Sequence, residues 1–355
     1  MPLILYGELY TTYSEVTYNV IRKTEAVVDD KYLSILGDIL IPTSGETPEE
    51  ISRATCVMVP NVILAGDLLI FRPTKEVDGR ILSFILNHKL NNKIASIAQG
   101  KSIVHIQASE LCQLRVTFPT LPEQKKIASL LSSIDSTLNL CQRKLDLLTQ
   151  AKKALVQQIF SRKLRFKADD GSDFPEWEEK KLGEIFTERV ERSSTGELIS
   201  VTINQGVVKS SDLDRRDNSS SDKSNYKVVR VGDIAYNSMR MWQGASGASQ
   251  YSGILSPAYT VVIPRKGQDV SFWEYQFKSD LMLYRFTINS QGLTSDTWNL
   301  KYPLFSKISV QVPSLPEQQK IASCLSSADA LINQARADLE QWREVKKSLL
   351  QQLFV

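Results

Sequence analysis

The chain is 355 residues long, which is more than one hydrophobic core usually serves and enough for two domains with connecting elements. Its net charge is only +3, so any binding to nucleic acid must come from basic side chains concentrated locally. There is no long apolar run, no secretory signal pattern and no CxxC pair among the four scattered cysteines, which predicts a cytoplasmic protein without a membrane span, structural zinc or disulfide framework.

Residues 1–119 are predicted to form a first α/β domain, here called the first head. Its strand candidates are residues 34–41, 56–60, 67–71 and 114–118, and a helix is predicted near residues 81–90. Gly-Asp pairs begin at Gly37, within the first strand candidate, and at Gly66, directly before the third. Taken alone, such a pair indicates a turn.

The next segment, residues 120–160, is predicted to be a single long helix. Thr120 and Glu123 have the spacing of a capping box, and Pro122 falls in the first turn, where a missing amide hydrogen costs little. Apolar residues then recur at alternating steps of four and three, which is typical of a coiled-coil seam. They are Ile127, Leu131, Ile134, Leu138, Cys141, Leu145, Leu148, Leu155 and Ile159, and the one polar seam position holds Lys152.

Residues 161–313 are predicted to form a second α/β domain, the second head. Its strand candidates are residues 226–230, 233–237, 259–264 and 308–312, with a helix at 273–278. The polar stretch 212–225 is predicted to be a surface loop. A third Gly-Asp pair begins at Gly232 and matches the pair at Gly66 of the first head, where the pair at Gly37 is a further instance.

The long helix occurs twice, and this is the strongest signal in the sequence. Residues 315–354 align with residues 121–160 without a gap and are identical at half of the positions. The repeat distance is far too long for a solenoid, so it indicates duplication of a domain together with its helix. The second seam, within a predicted helix at residues 314–355, consists of Ile321, Leu325, Ala328, Ile332, Ala335, Leu339, Trp342, Leu349 and Leu353, with Lys346 at the position of Lys152. A polar seam residue can fix the register of a coiled coil, but a lysine can also extend its charge to solvent.

The connection between the two helices predicts how they pair. Each helix should be about 60 Å long. A parallel pair would require the ends of the second head to lie that far apart, whereas an antiparallel pair brings them together. The sequence therefore predicts two heads held at a fixed distance by an antiparallel coiled coil, with a pseudo-twofold relation.

A second, shorter match links the heads. Gln99-Gly100-Lys101-Ser102 and Gln291-Gly292-Leu293-Thr294 each lie a little over 20 residues before the repeated LPEQ that starts a helix. Glycine lets a backbone approach a ligand closely, and the neighbouring amide and hydroxyl groups can bond phosphates or base edges.

The repeated LPEQ helix, the Gly-Asp strands, the Gln-Gly element and the segment from Phe174-Pro-Glu-Trp177 to Phe186 together resemble the specificity subunits of type I restriction-modification enzymes. The resemblance covers nearly the whole chain, and the repeated helix is its most specific part. It implies two target-recognition domains that each read half of a bipartite DNA site. It also implies two methyltransferase (modification) subunits docked on the assembly, joined by motor-nuclease (restriction) subunits.

No catalytic motif accompanies this pattern. The chain has no Asn-Pro-Pro-aromatic tetrad and no GxGxxG turn, its two histidines fit structural roles better than catalytic ones, and residues 95–102 lack the leading glycine of a phosphate loop. We therefore predict a non-catalytic subunit that needs no cofactor or metal, with the methyl donor and ATP bound by other subunits. A coiled-coil scaffold without a DNA role and a fused restriction-methylation enzyme are the alternatives, and the duplicated heads and the missing motifs disfavour them.

Candidate DNA contacts are chosen by residue type, because arginine can bond guanine, asparagine and glutamine can bond adenine, and lysine and serine suit phosphates. In the first head they are Tyr10, Tyr13, Thr43, Ser44, Arg72, Lys75, Arg80, Gln99 and Lys101. In the second head they are Arg215, Arg216, Lys223, Asn237, Ser238, Arg240, Trp242, Gln291 and Thr294. Each could equally be a solvated surface side chain.

The first head is expected to be incomplete at its start. The second head opens with residues 174–183, a segment that has no counterpart before Tyr6. An incomplete head should expose a strand edge or apolar patch near residues 3–9 and could self-associate there. The alternative is that the two heads simply differ in size.

Overall fold

The computed structural model describes residues 1–214 and 219–354. The chain divides into two compact units: unit 1 comprises Met1–Lys144 and Ala335–Val355, and unit 2 comprises Leu145–Gln334. Each long helix therefore contributes one part to each unit. No helix among the described residues is long and apolar enough to cross a bilayer.

Unit 1 is built around a four-stranded sheet covered by short helices and by the long helices. Its elements are β1 (Leu3–Leu5), α1 (Glu8–Thr11), β2 (Val16–Thr17), β3 (Asp38–Pro42), β4 (Ser44–Gly45), α2 (Pro48–Ile51), β5 (Thr55–Val57), β6 (Ile63–Ala65), β7 (Leu68–Phe71), α3 (Gly79–Phe84), α4 (Asn91–Ser96), β8 (Val104–His105), α5 (Ala108–Leu111) and the start of α6 (Leu121–Phe160). The sheet order is β2-β5-β3-β7, and smaller sheets pair β1 with β6 and β4 with β8. A π-helical turn, Ile85–Lys89, continues α3.

The start of unit 1 is not the open edge that the sequence analysis predicted. Strand β1 pairs in parallel with β6 on one side, and Pro2 forms an antiparallel bridge with Lys23 on the other. Ile4 and Leu9 are almost fully buried. The prediction of an exposed edge or apolar patch near residues 3–9 is therefore wrong, because neighbouring segments cover this strand.

A second prediction also fails in unit 1, since residues 114–118 form no strand. The corresponding prediction in unit 2 is confirmed by β18 (Ser309–Val312), which pairs with β9 (Glu178–Lys181). A strand needs a partner for its backbone groups, and among the described residues none pairs with residues 114–118.

Unit 2 has the same kind of central sheet with more strands around it. Its elements are β9, α7 (Leu182–Ile185), β10 (Phe186–Glu188), β11 (Ile199–Thr202), β12 (Gly206–Lys209), β13 (Lys227–Val229), β14 (Ile234–Asn237), β15 (Ser246–Ala248), β16 (Gly253–Leu255), β17 (Tyr259–Pro264), α8 (Val270–Phe277), α9 (Asp280–Asn289), α10 (Tyr302–Phe305), β18 and the start of α11 (Leu315–Phe354). The central sheet has the order β10-β17-β14-β15. An aromatic core that includes Phe186, Trp273, Phe277 and Phe305 fills the space between this sheet and the helices.

The two central sheets share a strand pair in one register. In unit 1, β3 pairs antiparallel with β7 from Ile39↔Phe71 to Pro42↔Leu68. In unit 2, β14 pairs antiparallel with β17 from Ile234↔Val262 to Asn237↔Tyr259. A Gly-Asp turn precedes β3 and β14 alike, so Gly37 and not Gly66 is the structural counterpart of Gly232.

Each of these turns needs its glycine and uses its aspartate. Gly37 has φ +90° and Gly232 has φ +88°, the left-handed region that favours glycine. The Asp38 carboxylate accepts a hydrogen bond from the Ile35 amide at 2.9 Å, and that of Asp233 accepts one from the Arg230 amide at 2.8 Å. An arginine balances each buried charge.

The long helices pair antiparallel within each unit, as predicted. In unit 1, Asp135 of α6 contacts Lys346 of α11 at 2.8 Å, and further along α6 Lys144 approaches Asp338 at 3.8 Å. In unit 2, Lys152 pairs with Asp329, and Ile159 lies in one apolar cluster with Ile321. In each unit, contacts at higher residue numbers in α6 therefore involve lower residue numbers in α11, which is the pattern of an antiparallel pair.

The two polar seam residues form matching ion pairs. Lys152 binds Asp329 and Lys346 binds Asp135, and both the lysines and the aspartates occupy repeated positions. Each ammonium also lies near an aromatic ring, Tyr275 for Lys152 and Phe84 for Lys346. Of the two interpretations left open by the sequence, contact with the opposite helix is the one observed, and it favours a single register.

The start of each long helix is fastened to its unit by a buried glutamine. The Gln124 side chain accepts a hydrogen bond from the Asp78 amide at 2.9 Å and donates to the Pro119 carbonyl at 3.0 Å. Gln318 likewise accepts from the Asp269 amide and donates to the Pro313 carbonyl, each at 2.9 Å. Ser314 and Glu317 have the same spacing as Thr120 and Glu123, which also predicts a capping box. That prediction is wrong, because the Ser314 hydroxyl is buried without a partner among the described atoms.

Candidate nucleic-acid interface

Each unit carries one Gln-Gly loop, and both loops are closed in the same way. Gln99 bridges antiparallel to His105, and Gln291 bridges antiparallel to Asn299. The glycine that follows has φ +142° in the first loop (Gly100) and φ +148° in the second (Gly292). The sequence match therefore corresponds to two loops with the same kind of closing bridge and the same glycine conformation, although the second loop is longer.

The structure corrects the expected role of these glycines. A Cβ atom on Gly100 would lie 2.0 Å from the Ile103 carbonyl oxygen, and one on Gly292 would lie 2.6 Å from that of Thr297. Glycine is needed at both positions because the returning backbone of the same loop occupies the space of a side chain. The close approach of a ligand is therefore not required to explain why these residues are glycines.

In unit 2 the loop lies beside the turn that follows β14. The indole rings of Trp242 and Trp298 meet edge to face with centroids 5.3 Å apart. The Arg240 guanidinium lies 3.9 Å from the carboxylate of Asp296. Because this contact is long and both side chains are substantially exposed, it contributes little to stability and leaves the guanidinium available for other partners.

The turn itself is held by the sheet below it. The Asn237 carbonyl side-chain oxygen accepts a hydrogen bond from the Met239 amide at 3.0 Å, and the backbone of Ser238 accepts one from the Leu300 amide at 2.8 Å. The Ser238 hydroxyl is buried and bonds Thr260 at 2.8 Å. Its position in the core beneath the surface argues against a contact with DNA.

The other candidates of unit 2 are more scattered. Gln291 and Thr294 are exposed on the Gln-Gly loop, where the Thr294 amide donates to the Thr297 hydroxyl at 3.1 Å. Lys223 is half-buried in the polar segment before β13, and its carbonyl accepts from the Tyr226 amide. Arg215 and Arg216 lie outside the described residues.

In unit 1, the Gln-Gly loop presents Gln99 and Lys101 at the surface. The Gln99 amide donates to Glu110 at 2.9 Å, while Lys101 is exposed. Lys75 is likewise exposed, in the loop between β7 and α3. These three side chains can reach a ligand without breaking the core.

Three other candidates of unit 1 have structural roles. The buried Ser44 hydroxyl donates to Asp67 at 2.7 Å. Arg80 binds Asp78 through two nitrogens at 3.0 and 2.7 Å, and this hydrogen bonding raises its pKa. Arg72 forms an ion pair at 3.3 Å with the buried Asp38. The burial of Ser44 argues against a DNA contact there, whereas Arg80 and Arg72 each have one carboxylate partner, Asp78 and Asp38, and stay candidates.

The remaining candidates of unit 1 are partly buried. Tyr13 packs against the small cluster around Ile4, and its hydroxyl accepts from the Ile21 amide at 3.3 Å. Burial is the main reason why the pKa values of Tyr10 and Tyr13 are raised, so both phenols stay neutral. Thr43 is half-buried, and its carbonyl accepts from the Ile106 amide.

A family model for the type I restriction modification DNA specificity domain matches residues 7–150 and again residues 175–341. The chain belongs to this family. Both matches include a Gln-Gly loop, and together they span most of the chain. It is a DNA-recognition subunit with two specificity domains.

Named relatives and solved structures agree with this assignment. The chain is 25% identical to the type I restriction enzyme MjaX specificity subunit of Methanocaldococcus jannaschii, covering 91% of this chain and 79% of that protein. It is 24% identical to the MjaVIII specificity subunit of the same organism, covering 79% and 70%. In fold it resembles the type I S subunit from M. genitalium, with TM-score 0.59, 18% identity and coverage of 100% of this chain and 88% of that one.

The structure adds residues to the interface that residue type alone missed. Leu293 is fully exposed at the tip of the second Gln-Gly loop, and Ile103 is 57% exposed in the first. Apolar side chains in such places can contact thymine methyl groups. Trp298 and Asp296 were also missed, although their position within the loop after Gln291 was a usable signal.

No group of three or more His, Cys, Asp or Glu side chains able to hold a metal occurs in residues 1–214 and 219–354. Within that part of the specificity subunit the candidate interface consists of hydrogen-bonding, basic, aromatic and apolar side chains. Such a set can bind a polar surface and distinguish base edges.

Proposed function

We propose that each unit of this specificity subunit reads one half of a bipartite DNA target through its Gln-Gly loop. The observation that carries the proposal is that a Gln-Gly loop with the same kind of closing bridge and the same glycine conformation occurs in both units. A duplicated reading element is what a target with two half-sites requires. The relatives named as specificity subunits support the same assignment.

In unit 2 the reading surface comprises Arg240, Trp242 and the Gln-Gly loop. The exposed guanidinium can bond O6 and N7 of guanine in the major groove, and Gln291 can bond adenine. The paired indoles of Trp242 and Trp298 fix the turn against the loop, so that Arg240 is presented from a rigid base. In unit 1, Gln99 and Lys101 take the corresponding places, with Lys75 suited to a phosphate.

The subunit works without chemistry of its own in this proposal, in the cytoplasm, and the paired helices set the distance between the half-sites. Two methyltransferase subunits dock on the assembly, and motor-nuclease subunits join for restriction. Exposed leucines on the long helices support a docking role: Leu130 and Leu140 in unit 1 and Leu147 and Leu331 in unit 2 are each 49–65% exposed. Apolar groups in such positions are typical of partner surfaces.

The test is methylation mapping with the subunit assembled with its methyltransferase subunits. Arg240→Ala should relax the preference at one position of one half-site, at a cost of about 1–3 kcal/mol in discrimination. Lys101→Ala should affect the other half-site. Lys266→Ala is a matched control, because it follows β17 at the end opposite to Tyr259, the residue that pairs with Asn237.

The outcome against the proposal is equally specific. If Arg240→Ala and Lys101→Ala altered the same half-site, or both half-sites equally, the units would not be separate readers. A purified chain that binds no DNA either alone or with methyltransferase subunits would instead favour a scaffold.

A further inference from the structure

Residues 114–118 of unit 1 present an open edge at a place that is paired in unit 2. At the offset that relates the long helices, Leu114, Val116 and Phe118 correspond to Ile308, Val310 and Val312. The latter three are at most 4% exposed, and β9 pairs with their strand. Their counterparts in unit 1 are each only half-buried, and no backbone hydrogen bond of residues 115–118 forms within the described chain.

A second edge of unit 1 is open for the same reason. Strand β17 of unit 2 pairs with β14 on one side and with β10 on the other. Its counterpart β7 pairs with β3 and is the last strand of its sheet. All four residues of β7 are half-buried, whereas Val261 and Val262 of β17 are fully buried. Both open edges thus correspond to surfaces that one segment, β9-α7-β10, covers in unit 2.

The charge pattern indicates the same segment. Glu317 at the start of α11 is fully buried and binds Arg165 through both carboxylate oxygens at 3.3 and 3.1 Å. Its counterpart Glu123 is exposed, and no ion pair to it forms among residues 1–214 and 219–354. In unit 2, Trp177 completes the cover by packing into the apolar cluster that contains Val310 and Val312.

We propose that unit 1 is a docking site for an extended segment with the chemistry of residues 165–188, which the described residues do not supply there. The segment would add one strand to residues 114–118 and another to the outer edge of β7. It would also place an arginine on Glu123 and an aromatic ring over Val116. This inference rests on the internal comparison of the two units and not on the DNA-reading proposal.

Cysteine trapping tests both the occupant and its register. In unit 2, a Cβ atom on Gly183 would lie 3.0 Å from the Cβ of Ser306, and the Gly183 amide donates to the Ser306 carbonyl at 2.9 Å. The counterpart of Ser306 in unit 1 is Cys112, which is exposed and free. A synthetic peptide of residues 165–188 carrying Gly183→Cys should therefore form a disulfide with Cys112 of the full chain, since the Cβ separation is only about 0.5 Å below the disulfide range and a docked peptide can shift by that amount. Peptide mapping by mass spectrometry reads out the pair.

Three controls keep the result specific. Cys112→Ser in the chain should abolish the cross-link, and a peptide with Lys180→Cys should not react with Cys112, because in unit 2 Lys180 pairs with Val310. For the unmodified fluorescent peptide, Glu123→Gln should raise the dissociation constant about tenfold, because a charge-assisted hydrogen bond is lost.

Several results would overturn the proposal. They are the absence of peptide binding, cross-linking that favours Cys141 or Cys324 over Cys112, and an affinity that Glu123→Gln leaves unchanged. A dimer that persists in sedimentation at saturating peptide would also contradict it, because the edge would then pair with a second copy of itself.

Discussion

Replacing Lys346 by methionine should destabilise unit 1 far more than a substitution of the same size at an exposed position. The Lys346 ammonium binds Glu15 at 2.9 Å and Asp135 at 2.8 Å. The side chains of these three residues are only 16%, 11% and 20% exposed. Lys346→Met keeps the length of the side chain but leaves two carboxylates without their cation.

The expected magnitude follows from the burial. Removing one partner of a buried ion pair costs about 3–5 kcal/mol, because the charge left behind is uncompensated. Lys152→Met is the matched control at the repeated seam position. Lys152 and Asp329 are 24% and 37% exposed, so solvent screens that pair and its loss should cost about 1 kcal/mol or less.

Hydrogen exchange in urea would measure the two effects separately, because it reports the free energy of opening for peptides of each unit. Lys346→Met should lower the protection of α3 and β3, while unit 2 stays unchanged. Adding Glu15→Gln to Lys346→Met should recover part of the loss. Equal effects of Lys346→Met and Lys152→Met, or a loss below about 1 kcal/mol for the former, would refute the reasoning.

Three more predictions concern pH, thiols and the reading loops. Burial alone would raise the pKa of Glu15, but the hydrogen bond with His88 and the charge of Lys346 outweigh it and lower the pKa from 4.5 to about 2. The resulting stabilisation of about 3 kcal/mol is present above pH 4.5 and is lost as the pH falls toward 2. Glu15→Gln should therefore reduce the fall in melting temperature between pH 4.5 and pH 2, and an unchanged fall would contradict this. Burial raises the pKa of Cys56 to about 12, so a thiol reagent at pH 8 should label the exposed Cys112 in the native chain and spare Cys56. Equal labelling of the two cysteines would contradict this. Gly292→Ala should weaken DNA binding, because the new Cβ atom would collide with the Thr297 backbone. Gly267→Ala is the control, since its Cβ atom has free space and only backbone strain is added. Equal losses of DNA binding in the two variants would contradict a role of the second Gln-Gly loop in binding.

The sequence predicted the repeated elements well and the local detail less well. Both long helices, Leu121–Phe160 and Leu315–Phe354, match their predicted bounds to within one residue, because a seam of 40 residues without glycine leaves few alternatives. Strand β17 also has its predicted bounds, Tyr259–Pro264. The strand predicted at residues 114–118 failed because alternation describes which side chains face a core, and it does not supply a neighbouring backbone.

The candidate interface was only partly predictable for a related reason. Residue type cannot distinguish Ser238, which bonds Thr260 inside the core, from a hydroxyl at the surface. The Gln-Gly loops were found because they occur twice at corresponding places. Trp298 and Leu293 were missed because neither has a repeated partner in sequence, and only the fold brings Trp298 to Trp242.

The buried glutamines at the start of the long helices have a consequence for how such chains can diversify. Gln124 and Gln318 bond only backbone atoms of the segments they hold, apart from a weak contact between Gln318 and Gln268. Because a backbone amide or carbonyl is present whatever the side chain, the joint tolerates wide variation in the sequence of the domain before it. A recombination event with its crossover at the LPEQ sequence would exchange one entire reading domain and leave the joint intact. Because the LPEQ segment occurs at the start of both long helices, a domain joined there would keep the same attachment to the helical pair.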